Sequence, residues 1–267
     1  MNTKENSDIN FYGKVYGTGN AMLIGNPQEL QVNAAVTTNR NTNFVYITNA
    51  TASAASNQFI KFVDKTPRRF VQDSINVMSE YDRLQQEMEE EESKTDIRLN
   101  LLIDATPDAT MKIIMDPIAG DYISGKGSGN IRTEFFNKGD VKMFGNYRIN
   151  QGIYKFSLQE VIRKDFIIKD GSSITFNGPP LDATLDIQAS YTVNSASLND
   201  LIPDASETIT QQPNVKANCI MNLTGILWRP NIKLGIELPN ERDEIQTLVR
   251  NYISTDEQMN MQILYLL

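Results

Sequence analysis

The chain has 267 residues, a formal net charge of −8 and a pI near 4.8. Surfaces for nucleic acid or anionic membranes favour clustered Lys and Arg, so this acidic balance argues against both. Hydrophobic residues make up 40% of the chain, enough for a core, and no run approaches the roughly 18 apolar residues of a membrane helix.

The chain contains no His and a single Cys. The absence of His removes the usual general base, the Ser-His and Cys-His pairs and the commonest transition-metal ligand. Cys219 falls on the apolar side of a predicted strand, where a thiol is typically a small buried hydrophobe. Chemistry by carboxylates remains possible but would need a specific pair of them in a cleft, and we expect no metal and no cofactor.

The first region, 1–58, predicts a block of strands in an antiparallel meander. Turn signals occur at Gly17-Thr18-Gly19 and Gly25-Asn26-Pro27. The apolar positions that alternate along the predicted strands are Phe11 and Val15, Leu30, Val32, Ala34 and Val36, and Phe44 and Tyr46.

The second region, 59–94, predicts a helical and acidic insert that divides the strands into two blocks. Residues 49–66 have the composition of a loop, and a helix is predicted near 72–92 from Ile75, Met78, Leu84 and Met88. The helix ends in four adjacent glutamates, Glu89 to Glu92, which are typical of a solvated helix end.

The third region, 95–239, predicts the main β block. The connectors Asn137–Asp140, Asn150–Gly152 and Lys169–Gly171 have hairpin composition. They are too short for crossover helices, which argues against a parallel α/β sheet. The longest alternations run over Ala183–Val193 and Val215–Gly225, separated by a polar segment, 194–214, that we expect to be mobile.

The last region, 240–267, predicts helices. Asn240 is a good N-cap residue, and a helical stripe follows at Ile245, Leu248, Val249, Tyr252 and Ile253. A second short helix is predicted to restart at Ser254-Thr255-Asp256. The chain then stops in an apolar run, which suggests a piece of a longer protein.

Three local features are weighed against chemical roles. Gly120–Ser128 nearly matches a phosphate-binding loop, but Gly127 stands where a Ser or Thr must hold Mg²⁺, so a Gly-rich hairpin is the better account. Asp182 and Asp186 would share the polar face of one strand, and a solvated face is favoured over a glycosidase pair. Trp228 is most simply a turn anchor packed over the sheet edge.

The apolar face of the sheet has two interpretations. In the first it is an ordinary core, as in a β-sandwich, and composition alone favours this. In the second the sheet curls into an open trough that meets lipid. The length of the meander and the flexible aliphatic residues on the inner face, such as Leu99, Met111 and Met221, support the second.

Three stretches resemble the TamB C-terminal domain family: Phe144–Phe156, Phe166–Asp182 and Leu223–Leu234, the last followed by Leu238-Pro239 and a helix. The sequence has Asp182-Ala183 where many family members have Asn-Pro. The resemblance is clear over 95–267, whereas 1–60 resembles the family only as generic strands.

The resemblance implies a mainly β fold: a curved antiparallel sheet forming a U-shaped β-taco with an apolar interior. It also implies a non-enzymatic periplasmic domain of a bacterial protein anchored in the inner membrane. Such proteins are thought to carry phospholipid towards the outer membrane, and they act with an outer-membrane partner of the Omp85 class, similar to TamA. Contact with the membrane is then expected through parts of the protein outside this sequence.

We therefore expect a passive lipid conduit in which acyl chains lie along the trough while headgroups stay in water. The residues expected to line it are Leu99, Leu101, Ile103, Met143, Leu185, Ile187, Val193, Met221, Leu223, Leu234 and Ile236. A charge at Ile187 or Leu223 is expected to abolish transport while the strands still form. The alternative is a module that assists outer-membrane protein assembly by pairing an exposed strand edge with a client strand.

Overall fold

The computed structural model describes residues 2–3, 10–48, 95–158, 162–201 and 214–267. Within these ranges fourteen strands join one sheet: β1 Asn2–Thr3, β2 Phe11–Lys14, β3 Gly17–Gly25, β4 Glu29–Thr38, β5 Asn43–Ile47, β6 Asp96–Ala105, β7 Thr110–Asp116, β8 Asp121–Phe136, β9 Lys142–Leu158, β10 Ile162–Ile168, β11 Ser172–Gly178, β12 Thr184–Ser197, β13 Asn214–Ile226 and β14 Arg229–Glu237. The helices are α1 Leu198–Leu201, α2 Asp243–Tyr252 and α3 Asp256–Leu266, and a 3₁₀ turn spans Pro180–Asp182. The predicted loop at 49–66 and the helix near 72–92 lie outside the described residues.

The strands follow the two-residue periodicity of the sequence. In β13, buried side chains alternate with more exposed ones from Val215 to Leu223, and β11 and β12 behave in the same way. Because successive side chains of a strand point to opposite faces, these strands have an apolar inner face and a mainly polar outer face.

The long strands β8 and β9 each pair with two shorter strands, one along each half, so the sheet has two arms. Strand β8 pairs with β7 over its first half and with β6 over its second, whereas β9 pairs with β11 over its first half and with β10 over its second. We call the side that contains β3, β4, β6 and β11 the first arm, and the side that contains β2, β5, β7 and β10 the second arm. Later strands, such as β12, cross both arms.

The two arms face each other. One hydrophobic cluster contains Ile131, Ile174 and Leu185 from the first arm together with Ile113 and Phe166 from the second. The sheet is therefore folded over on itself with its apolar face inside, as expected for a β-taco-like curved sheet. This confirms the predicted fold class.

The bend in β8 requires glycine. Its register with β9 shifts between Lys126 and Gly127, and a Cβ at Gly127 would overlap the carbonyl oxygen of Arg148 and lie 2.9 Å from Cζ of Tyr147. The phosphate-loop lookalike thus lies mainly within a strand. A turn ends at Gly120, whereas the later glycines of the motif lie within β8, where the strand bends. The predicted hairpin is therefore found only at the first residues of the motif.

Two pairings correct the predicted antiparallel meander. Strand β4 runs parallel to β6 and β5 runs parallel to β7, with Glu29 opposite Asp96 and Asn43 opposite Thr110. The sheet is mixed because each parallel pair joins a strand that precedes the long connection between β5 and β6 to one that follows it. A connection of this length can bring the chain back in the same direction, whereas a short hairpin cannot.

Three local predictions are also wrong. Gly17-Thr18-Gly19 lies inside β3 rather than in a turn. The segment predicted to be mobile begins with the end of β12 and with α1. The N-cap of α2 is Arg242 rather than Asn240, because Asn240 and Glu241 lie in the preceding turn. The predicted start of a second helix at Ser254-Thr255-Asp256 is confirmed, since Thr255 forms a capping box with Gln258.

Candidate functional site

The candidate site is the inner apolar face of the folded sheet. Cross-strand register places the predicted lining residues there: Leu223 is opposite Ile187 on β12 and Ile232 on β14, and Met221 is opposite Leu234. All predicted lining residues of β9, β12, β13 and β14, and Ile103 of β6, belong to or pack against the main cluster. Leu99, Leu101 and Ile103 occupy every second position of β6 and therefore lie on the same face.

One part of this face is closed by the protein itself. Leu185, Ile187, Met221 and Leu223 are each 1% exposed or less. They belong to one buried cluster with side chains of both arms, so they form a packed core in this conformation. An aspartate at Ile187 or Leu223 would therefore be buried without a partner, and we now expect it to disrupt folding as well as any lipid contact.

The other part of the face is open. On the first arm Phe135, Leu99, Val32 and Leu23 follow one another across β8, β6, β4 and β3. Phe135 is 36% exposed, Leu99 and Val32 are half-buried, and Leu23 is 68% exposed. None of the four is buried, and the apolar face is most exposed at β3. The sequence analysis did not select Val32, Leu23 or Phe135 as lining, because alternation alone does not say which strands are neighbours.

The opposite end of the interior is covered by helix α3. Ile263 is buried in the main cluster, and Met259, Leu266 and Leu267 pack against it. A smaller second cluster joins α1 and α2 to the ends of β12 and β13, with Leu201, Val215, Val249 and Ile253 buried in it. The helices thus close the trough at the end that lies opposite β3.

A polar group lies on the inner face at the rim of the second arm. Oδ1 of Asp121 accepts a hydrogen bond of 2.6 Å from the backbone N–H of Ser157. Burial raises the pKa of this carboxyl to about 6, with a smaller contribution from the nearby Asp116, although the hydrogen bond from Ser157 acts against the shift. Burial also raises the pKa of the neighbouring Tyr154 phenol, with Asp121 adding to the effect.

The features considered for catalysis do not assemble a site. Burial raises the pKa of the Cys219 thiol to about 11, so it is protonated at neutral pH. Asp182 lies in the 3₁₀ turn before β12, so it does not share a strand with Asp186 as expected. Within the described ranges, no three His, Cys, Asp or Glu side chains gather where they could hold a metal ion.

The turn between β13 and β14 differs from the expectation for Trp228. Trp228 is 47% exposed, and it is the preceding Leu227 that is buried, at 2%. The backbone N–H of Leu227 also donates to the carbonyl of Ala183. Leu227 is therefore the anchor of this turn, and Trp228 lies at the surface.

The model of the TamB C-terminal domain matches residues 2–267. The chain belongs to this family. The match includes the first strand block, which the resemblance had covered only as generic strands. No curated protein matches the chain.

Membership of the TamB family gives the chain a general role in outer-membrane assembly or lipid transport. The curved sheet and its apolar inner face are consistent with that role. Among the helices that the structure describes, none is both long enough and apolar enough to cross a membrane.

Proposed function

We propose that this TamB domain is a passive conduit for phospholipid between the inner and outer membranes, with acyl chains held against its apolar inner face. The observation that carries the proposal is the open part of that face, where Leu99, Leu101 and Val32 are half-buried. They lie opposite the apolar residues Phe135, Ala34 and Leu23, and the one polar partner among their neighbours in the register is Thr133, opposite Leu101. Each methylene buried there contributes about 0.8 kcal/mol, so a tail is held without specific polar contacts.

The closed part of the inner face gives the conduit a second property. Leu185, Ile187, Met221 and Leu223 belong to one buried cluster with side chains of both arms, and we propose that lipid passes them only when the arms separate. Met143, Val193, Leu234 and Ile236 are half-buried and border this closed part. Lipid is thus proposed to enter at the open part and to move on as the arms part.

The setting of the conduit is also a proposal, and family membership supports it. We place the chain in the periplasm, as part of a protein anchored in the bacterial inner membrane, and its outer-membrane partner is proposed to be a TamA-like protein of the Omp85 class. The domain is proposed to act without catalysis, because transport along an apolar face requires only burial and release of acyl chains.

The test compares two leucines that are neighbours in β6. Leu101 lies on the inner face, whereas Leu102 lies on the outer face and is 51% exposed. The wild-type protein and the variants Leu101→Glu and Leu102→Glu are purified without detergent and analysed by native mass spectrometry with organic extraction. We expect phospholipid on the wild type and on Leu102→Glu, and a loss of at least about fivefold on Leu101→Glu, since a buried carboxylate is costly beside an acyl chain.

The opposite result is equally clear. A clean apo mass for the wild type, with no uptake from labelled vesicles, would show that the inner face is only a core. Equal lipid loss in Leu101→Glu and Leu102→Glu would show that the effect does not depend on the inner face.

A second candidate function rests on strand β3. It pairs with β4 on one side, all nine of its residues are exposed, and Met22, Leu23 and Ile24 are more than half exposed. An exposed apolar edge strand is a template for pairing with another strand, so β3 is proposed as a docking edge for an unfolded outer-membrane protein. Photo-crosslinks from β3 to such a client, abolished by Met22→Lys with Ile24→Lys, would support this function.

A further inference from the structure

On the inner face of the second arm, the side chains at the rim are more polar than those deeper in the arm. Inner residues deeper in the arm are buried apolar side chains, namely Ile123, Tyr154, Phe166 and Ala189. One inner position further towards the rim, Asp121, Lys164 and Tyr191 are half-buried and polar. The apolar surface is thus bordered by groups that form hydrogen bonds.

Lys164 is the cation of this rim. Its ammonium lies 3.4 Å from the hydroxyl of Tyr191 and 5.1 Å from the centre of the Tyr191 ring. Among the described residues no carboxylate lies within ion-pair distance of it. It is also close enough to the buried Cys219 to act on that thiol electrostatically. The positive charge therefore faces the apolar interior, and no carboxylate in the described part of the chain forms an ion pair with it.

The sheet divides at this position. Strand β10 pairs with β12 only at Ile167 and Ile168, opposite Ser190 and Ala189, although β10 pairs with β9 along its whole length. Towards the rim the two strands are joined by side chains, through Phe166 and Tyr191, whose ring centroids are 5.9 Å apart, and through Lys164. We call the gap between β10 and β12, bordered by Lys164 and Tyr191, the rim fork.

The groups at the rim fork match one class of ligand. An ammonium with three rotatable donors and a phenol donor suit phosphate oxygens. The adjoining Phe156 and Phe166 rings meet edge to face at 6.0 Å and are buried, so the fork lies at the border of the apolar interior. Asp121 on β8 and Lys164 on β10 lie on either side of β9, which carries Phe156. They are therefore two strand spacings apart, about 10 Å. The carboxylate therefore leaves room for an anion beside Lys164.

We propose that the rim fork is a headgroup subsite in which Lys164 and Tyr191 bind the phosphate of a phospholipid whose acyl chains contact the inner face. This rests on the proposed conduit function and adds to it a recognition site: Lys164 and Tyr191 would select a phosphate-bearing lipid over other apolar molecules.

The experiment offers the protein two lipids with the same chains. Vesicles containing equal amounts of dioleoylphosphatidylethanolamine and dioleoylglycerol are incubated with the protein, which is then reisolated and its lipid quantified by mass spectrometry. We expect the wild type to enrich the phospholipid about fivefold or more. Lys164→Gln should bind a similar total amount of lipid with little enrichment of phospholipid. Lys164→Arg should keep most of the enrichment, and Tyr191→Phe should keep part of the enrichment.

The matched control is Lys169→Gln. Lys169 is an exposed lysine at the end of the same strand, and its ammonium donates to Gln188 on the outer face. We expect this variant to enrich phospholipid as the wild type does. Circular dichroism and thermal unfolding of each variant confirm that any change does not come from loss of the fold.

The results separate this inference from the conduit function. Equal uptake of both lipids by the wild type, or unchanged enrichment in Lys164→Gln, overturns the headgroup subsite and leaves the conduit in place; Lys164 then only covers the Tyr191 ring. Uptake of neither lipid overturns both. Line broadening of inorganic phosphate in ³¹P spectra that depends on Lys164, together with equal uptake of both lipids, assigns the fork to free phosphate and overturns the lipid subsite.

Discussion

At the scale of single residues, Asp121 gives the domain a dependence on pH. Its pKa is raised from 3.8 to about 6 because burial disfavours the charged form. A carboxyl of this kind binds its proton more tightly in the folded chain than in the unfolded chain, so the free energy of unfolding falls as pH rises from about 4 to about 6 and is level above that.

Replacing Asp121 with Asn should remove this dependence. The amide keeps an oxygen that can accept from the Ser157 N–H but carries no charge, so we expect Asp121→Asn to be more stable than the wild type at neutral pH by about 1 kcal/mol, after allowance for solvent screening of a half-buried group. Urea unfolding below and above pH 6 measures this difference in the free energy of unfolding. Asp186→Asn, an exposed carboxyl on the outer face, is the control, and a parallel pH profile for Asp121→Asn and wild type would contradict the prediction.

Gly127 carries a second prediction at this scale. A methyl group there overlaps the backbone of Arg148 and touches the Tyr147 ring, so the bend in β8 must open to admit it. We expect Gly127→Ala to lower the free energy of unfolding by about 1–3 kcal/mol. Gly235→Ala, where the nearest atom is 4.0 Å away, should be close to neutral in the same urea titration; equal effects would show that the bend does not depend on Gly127.

At the scale of elements, helix α3 is apolar on more than one side. Ile263 is buried against the sheet, while Met261 and Tyr265 are 66% and 69% exposed. The Thr255–Gln258 capping box fixes where the helix begins. Its stability in this position therefore depends on the inward side chains, because a helix of this length is marginal alone.

Shortening the inward side chain should release the helix. Ile263→Ala is expected to cost about 2–4 kcal/mol, since it leaves a cavity at the end of the main cluster, and to increase amide hydrogen exchange in α3 and β14. Met261→Ala is the matched surface control and should change neither quantity. If both variants exchange like the wild type, α3 does not close the trough through Ile263.

At the scale of the whole molecule, the inner face is graded from a closed part to an open part. A phospholipid with a spin label on its acyl chain should broaden the methyl NMR signals of Leu23, Leu99 and Leu101, which face the open part. It should leave those of Leu185 and Leu223 sharp, because their exposure is 1% or less. Uniform broadening would mean that lipid reaches the closed part without a separate opening step.

The sequence by itself determined the elements and the inner face. Two-residue alternation predicted most strands, and helical spacing predicted α2 and α3, because these periods follow directly from backbone geometry. The strand β3 was missed since its glycines at 17 and 19 have turn composition, yet they lie against the backbone of β4. The predicted lining residues share one face because alternation fixes which side of a strand each residue occupies.

Only the tertiary structure decided which parts of that face are open. Leu99 and Leu185 have the same residue type and the same alternating context, but one is half-buried and the other is fully buried. The difference depends on what the facing arm places opposite each residue. The parallel pairing of β4 with β6, the bend at Gly127 and the meeting of Lys164 with Tyr191 across two strands all depend on contacts between residues far apart in the chain, which local periodicity does not encode.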